Sequence, residues 1–177
     1  MFGKLTASNL PTLAPDGAHT LPTNFSSVIE KSSVFQSIPC MTIDSIVANY
    51  GLNLMLIRMD AEGHEVEILN GMRATSVRAH SGFTILIEVH PSAYSDTRSF
   101  TDELNFLFDN NFKTSFIVSA GQAFPPLFKS LGLSPVHIIP SDGFQRGIFS
   151  NISREDTIQL VSAIPKCSRY IALSKSI

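Results

Sequence analysis

Cysteine is scarce in this chain. Only Cys40 and Cys167 occur among its 177 residues, far apart, with no Cys-x-x-Cys spacing and no histidine at zinc-ligand distance. That excludes a disulfide framework and a structural zinc site. Long apolar runs are missing as well: the longest, residues 54–57 and 84–87, fall far short of the roughly 20 residues that cross a bilayer. The first 20 residues contain no apolar signal-peptide core. The expectation is a soluble, cytoplasmic protein without a membrane span. Neither sign of charge dominates, since 13 Lys and Arg stand against 15 Asp and Glu for a net charge of −2. Without a basic face there is no electrostatic footprint for nucleic acid. Glycine never recurs in a Gly-x-Gly pair. Neither a dinucleotide fingerprint nor a Walker-type phosphate loop is therefore present. Gly-x-Ser-x-Gly and His-Glu-x-x-His are absent too, which removes an esterase elbow and a zincin site at motif level.

What remains is the composition of one globular domain, with 44% hydrophobic and 16% charged residues. A chain of this length buries roughly 70% of its unfolded surface, so its stability demands no metal or disulfide. Residues 1–35 read as an irregular leader, punctuated by Pro11, Pro15, Asp16-Gly17 and Pro22. Residues 36–177 read as the folded unit. Thr42 is placed to cap a helix that Gly51 closes in a left-handed conformation. Residues 54–60 read as a buried strand, and 65–77 as a helix with Val66, Leu69, Met72 and Val77 on one face. A second strand follows at 83–89. Ser99 or Thr101 then caps a helix carrying Leu104, Leu107 and Phe108, and residues 112–118 read as a third strand. Two strand-helix-strand units predict a parallel sheet with right-handed crossovers. The Pro-rich stretch 119–147 reads as a covering loop, Ser153 as the cap of a helix with Glu155 and Asp156 in its first turn, and 168–174 as a last strand.

Ligands of open parallel sheets bind beyond the carboxyl ends of the strands. There the chain is unusually polar: the first strand runs out through Arg58, Asp60, Glu62, Gly63 and His64, and the second through Glu88, His90 and Pro91. Converging carboxylates and imidazoles suit proton transfer or metal binding. Strand alternation puts Arg58 and Asp60 on one face and Glu88 and His90 on one face of the neighbouring strand, so that Arg58 and Glu88 are expected to pair. The competing structural reading makes that pair a salt bridge, and Asp60 and Glu62 caps for the following helix, with Gly63 permitting the turn. His64 reads as a solvated residue at the helix start.

Three blocks carry a family resemblance: Thr42-Ile43-Asp44-Ser45-Ile46, the run from Arg58 through Asp60, Glu62, Gly63, His64 and Glu65 to Leu69 and Gly71, and Leu86-Ile87-Glu88-Val89-His90. In order and spacing they resemble the second half of FkbM-type S-adenosylmethionine-dependent methyltransferases, over residues 36–120. Arg58 departs from the lysine usual there, exchanging a compact ammonium for a planar fork. The resemblance implies an α/β fold, a partial Rossmann-like methyltransferase sheet, mostly parallel with helices on both faces. It implies S-adenosylmethionine as cofactor and methyl transfer to a hydroxyl of a small-molecule or glycan-type acceptor. Asp60, Glu62, Glu88 and His90 would be catalytic and Arg58 and His64 would bind substrate, with no metal. The family's glycine-rich loop and ribose-binding acid have no counterpart in this chain. A truncated, C-terminal half of the family domain is expected, binding the cofactor weakly or not at all. Two other readings compete: a catalytically silent subunit that self-associates or binds a partner chain through the exposed strand 54–60, and a metal-dependent hydrolase using Asp60, Glu62, His64, Glu88 and His90.

Overall fold

A computed structural model of the protein describes residues 18–20 and 39–177. Two short strands, β1 (Ala18–Thr20) and β2 (Pro39–Met41), pair antiparallel. The rest of the expected leader lies outside the described residues. Thr42 then starts α1 (Ile43–Tyr50), its hydroxyl accepting the Ser45 amide, and Gly51 ends it at φ 59°. Both caps are as the sequence predicts.

The main sheet has six strands, β3 (Leu56–Met59), β4 (Thr84–Glu88), β5 (Phe112–Ser119), β6 (His137–Ser141), β7 (Phe144–Phe149) and β8 (Ser168–Lys175), in the order β3-β4-β8-β5-β7-β6. Only β3 and β4 are parallel neighbours; the other four pairs are antiparallel. The expected mostly parallel sheet is therefore corrected to a mixed, mostly antiparallel one. Two of the four antiparallel pairs come from β8, which inserts between β4 and β5 and runs against both, and the other two from the β6–β7 hairpin beside β5. Since β4 and β5 oppose the same strand, they point the same way, and β3 with them. The strand-helix-strand passes keep their sense.

Ile85 and Ile87 of β4 lie opposite Leu173 and Ile171 of β8 on a fully buried face. Leu69 of α2 (Glu65–Asn70), Leu104 and Leu107 of α4 (Phe100–Asp109), and Leu160 and Val161 of α6 (Arg154–Ser162) complete this core. Each large side chain buried there contributes roughly 1.5–3 kcal/mol. Ser99 and Ser153 cap α4 and α6 through the amides of Asp102 and Asp156, three residues on.

Three other expectations change. The single helix over 65–77 is broken after Gly71 into α2 and α3 (Arg73–Arg78), leaving Val77 51% exposed. α3 has no cap of its own; Asp44 of α1 takes the Ala74 and Thr75 amides and the Thr75 hydroxyl. A carboxylate from another helix thus serves the free amides of the first turn. Strand 54–60 is the sheet edge expected of a partial domain, but it is not buried along its length: Met59 is buried while Leu56 is 59% exposed. The covering loop 119–147 instead contains α5 (Pro126–Ser130) and the β6–β7 hairpin, which turns at Asp142 and Gly143, both at positive φ. Pro140 disguised β6, yet an edge strand tolerates a missing amide donor.

Candidate active site at the strand ends

Met59 pairs with Ile87, so Asp60 and Glu88 follow side by side where the parallel strands end. The antiparallel β8 starts at this same rim, with Tyr170 opposite Glu88. It delivers Arg169, and the preceding loop delivers Lys166.

His90 stands at the centre. Its Nδ1 is 2.9 Å from Glu65 Oε1, and its Nε2 is 3.8 Å from Glu62 Oε2 and 3.9 Å from Glu88 Oε1. Donor atoms of Asp60, Glu88 and His90 all lie within 4.8 Å of one another. Two of the acids already have cationic partners, Arg58 for Asp60 at 3.2 Å and Arg169 for Glu88 at 2.7 Å. Lys166 Nζ lies 4.0 Å from the same Glu88 oxygen. Burial first, and the Arg169 charge next, push the Lys166 ammonium below its ordinary value.

The expected Arg58–Glu88 pair does not form. Arg58 sits opposite Leu86 in the parallel register, one residue pair short of the strand ends, and folds back along its own face to Asp60. Nor do Asp60 and Glu62 cap α2. The amides of Ala61 and Gly63 go to Glu65 Oε1, both at 3.2 Å. Glu62 is left with a side chain 75% exposed at φ 50°, pointing at the imidazole. His64 is not solvated: its side chain is 13% exposed and its Nδ1 lies 3.6 Å from Glu67 Oε2.

The turn holding these residues is tightly built. Gly63 has φ 99°, and a Cβ there would run into the Cβ of Ala93 in the 3-10 turn Pro91–Ala93. Arg98 fastens the same contact, donating to the carbonyls of Gly63 and Ala93 at 2.7 Å each and pairing with Glu67 through Nε and Nη2. Burial alone would raise the Glu67 carboxyl; the Arg98 hydrogen bond and charge outweigh it and hold it below its ordinary value.

Sequence reasoning missed Glu65, Tyr94, Lys166 and Arg169 as members of this site. Glu65 had a signal, its place in the second block, but nothing local shows that its side chain turns back into the loop. Lys166 and Arg169 precede or open a strand, and in a parallel sheet they would stand at the far rim. The concavity lined by Val47, Leu54, His80 and Phe83 lies at that far end and includes none of the clustered acids.

Little in the described residues fits the nucleoside of S-adenosylmethionine. The bareness of Gly63 is taken up by Ala93, and that of Gly147 by the Ala123 carbonyl and Phe149. No glycine-rich turn follows β3, β4 or β5 as a cradle, and the rim offers acids and bases instead. No helix among the described residues is long and apolar enough to cross a membrane. Residues 3–114 match the family described as the methyltransferase FkbM domain, a span that begins inside the leader, ends in β5 and includes all three sequence blocks. No curated protein and no solved structure matches the chain significantly.

Proposed function

Since the chain belongs to the FkbM methyltransferase domain family, we propose that its rim is the acceptor side of an S-adenosylmethionine-dependent O-methyl transfer. The sheet is then a partial Rossmann-like methyltransferase sheet, in which β3, β4 and β5 share one direction and β8 runs against them. The supporting observation is His90 Nε2, flanked by Glu62 and Glu88 at the open end of two parallel strands. In this reading Nε2 takes the proton of a hydroxyl on a small-molecule or glycan-type acceptor. Asp60 and Glu62 accept hydrogen bonds from the acceptor's neighbouring hydroxyls. Arg58, with its side chain 56% exposed, offers an edge contact to the acceptor, and His64, 13% exposed beside Glu67, offers it little surface.

The test is methyl transfer from labelled S-adenosylmethionine at millimolar concentration to a panel of sugars. His90→Ala should lower the rate roughly 100-fold or more, the range of general-base catalysis. Asp60→Asn and Glu62→Gln should lower it less and leave the fold intact. A rate unchanged in His90→Ala removes the base assignment. An absence of product with every hydroxyl acceptor favours the second reading, a partner-binding subunit. That reading has its own support, the edge strand β3 with Met55 62% and Leu56 59% exposed. A metal-dependent hydrolase has the spacing of Asp60, Glu88 and His90 in its favour. Against it, Arg58 and Arg169 already neutralise the two carboxylates.

A further inference from the structure

Glu65 is completely buried, yet it belongs to no salt bridge with a lysine or arginine among the described residues. Its carboxylate is filled by four donors. Oε1 receives the Ala61 and Gly63 amides and faces His90 Nδ1; Oε2 receives the Tyr94 hydroxyl at 3.1 Å. The Tyr94 oxygen in turn accepts the backbone amide of His90 at 2.9 Å. Both the ring and the main chain of His90 are therefore tied, directly or through one hydroxyl, to the same buried carboxylate.

We infer that Glu65, assisted by Tyr94, is the positioning residue that holds His90 with its proton on Nδ1 and turns a bare Nε2 toward Glu62 and Glu88. The inference deepens the methyl-transfer reading and rests on it for the meaning of a basic Nε2. A carboxylate oxygen can only accept, so the hydrogen of the 2.9 Å contact sits on the imidazole nitrogen. The bond made by one ring nitrogen decides the state of the other. Glu65 cannot drift from this role, because two amides of a turn fastened by Arg98 fix its Oε1. Tyr94 cannot drift either: its ring stacks on buried Phe100 with centroids 4.7 Å apart and planes 12° apart. Burial, then the Glu65 charge, push the Tyr94 hydroxyl far above its ordinary range, which keeps it a donor. A carboxylate that merely closed the turn would need the two amides alone. The arrangement uses both of its oxygens and spends two of its four bonds on His90 and Tyr94.

The test reads the tautomer directly, by long-range proton–nitrogen correlation spectroscopy of the full-length, nitrogen-15-labelled chain at a pH where His90 is neutral. In the wild type Nδ1 should show the shift of a protonated nitrogen and Nε2 that of an unprotonated one. Glu65→Leu, which removes every acceptor, should move the two resonances toward each other or exchange them. Tyr94→Phe, which leaves the carboxylate in place, should keep the wild-type pattern. A proton on Nε2 in the wild type overturns the inference, as does a Glu65→Leu spectrum identical to wild type, or a Tyr94→Phe chain that switches tautomer while Glu65→Leu does not. Should Glu65→Leu fail to fold, the wild-type and Tyr94→Phe spectra decide alone: Nδ1 protonated in both supports the inference, and Nε2 protonated in either overturns it. No acceptor or cofactor enters the measurement. The expected tautomer without methyl transfer to any acceptor would sink the functional reading and leave the positioning role of Glu65 standing.

Discussion

Arg169 Nη2 meets Oε1 of Glu88 at 2.7 Å, the closest cation to a carboxylate that is itself only 4% exposed. Removing the guanidinium leaves that charge with the Lys166 ammonium at 4.0 Å as its nearest cation. Breaking a fully buried pair costs roughly 3–5 kcal/mol. Arg169 is 35% exposed, so solvent screens part of the interaction and Arg169→Met should cost on the order of 2 kcal/mol. Adding Glu88→Gln to that variant should restore most of the loss. Urea unfolding of the two single variants and the double variant checks this, and strictly additive losses would show that the two side chains do not cooperate.

Gly63 should tolerate no side chain. At φ 99° any L-residue is strained, and its Cβ would also collide with that of Ala93. Gly63→Ala is expected to cost roughly 1–3 kcal/mol from the backbone alone. Adding Ala93→Gly should relieve only the collision. Thermal unfolding that shows full recovery in the double variant would mean that the backbone conformation carries no cost.

The Glu67–Arg98 pair makes stability depend on acidity in a defined direction. Glu67 is held below its ordinary carboxyl value of 4.5 in the folded chain, so the unfolded chain binds its proton first as the pH falls. The pair's contribution is thus fully present above about pH 4.5 and is lost as the pH falls through the lower, folded value. Glu67→Gln should flatten this part of the stability profile while changing little in its shape between pH 6 and 8. Unfolding midpoints measured at intervals from pH 3 to 7 for both chains would show it, and parallel profiles would refute it.

Much of this was legible in the sequence. Thr42, Ser99 and Ser153 cap helices as their spacing predicts, and Gly51 closes α1. Asp60, Glu62, Glu88 and His90 meet because two parallel strands end side by side, a relation that strand length and a crossover make readable. The placement of β8 was not readable, because a strand's own residues do not state its direction or its neighbours. With it went the partners of Glu88, which come from β8 and the loop before it. The role of Glu65 stayed hidden for a different reason. At the first position of α2 an acid reads as dipole compensation, and only the positive φ of Glu62 and Gly63 folds the loop back onto its carboxylate.

Cofactor affinity should be low. Glycine-rich turns let a backbone approach a nucleotide closely, and among the described residues the turns after β3, β4 and β5 hold at most one glycine each, with Gly63 already packed against Ala93. Calorimetric titration with S-adenosylmethionine or S-adenosylhomocysteine is expected to show no saturable binding in the low micromolar range. Saturable binding in that range would overturn this expectation.

The edge of the sheet leads to the last expectation. A strand edge with unpaired amides and carbonyls is a template for another chain unless charge, proline or a cover blunts it. The sheet has two edges, β3 and β6. β6 carries apolar Val136, Ile138 and Ile139 at or beside it, but Pro140 interrupts its donors. β3 has no proline, and among the described residues no strand pairs with its outer side. Met55 and Leu56 add an exposed apolar surface beside that edge, with Arg58 as its one charge. Self-association through β3 is therefore expected in preference to β6, and light scattering across a concentration series should show mass rising with concentration. Leu56→Lys should suppress the rise, because a charge on an edge strand must be desolvated before another strand can pair there. Ile138→Lys should leave it in place. A wild-type mass that stays at 19.3 kDa at every concentration would mean that β3 is shielded within the single chain.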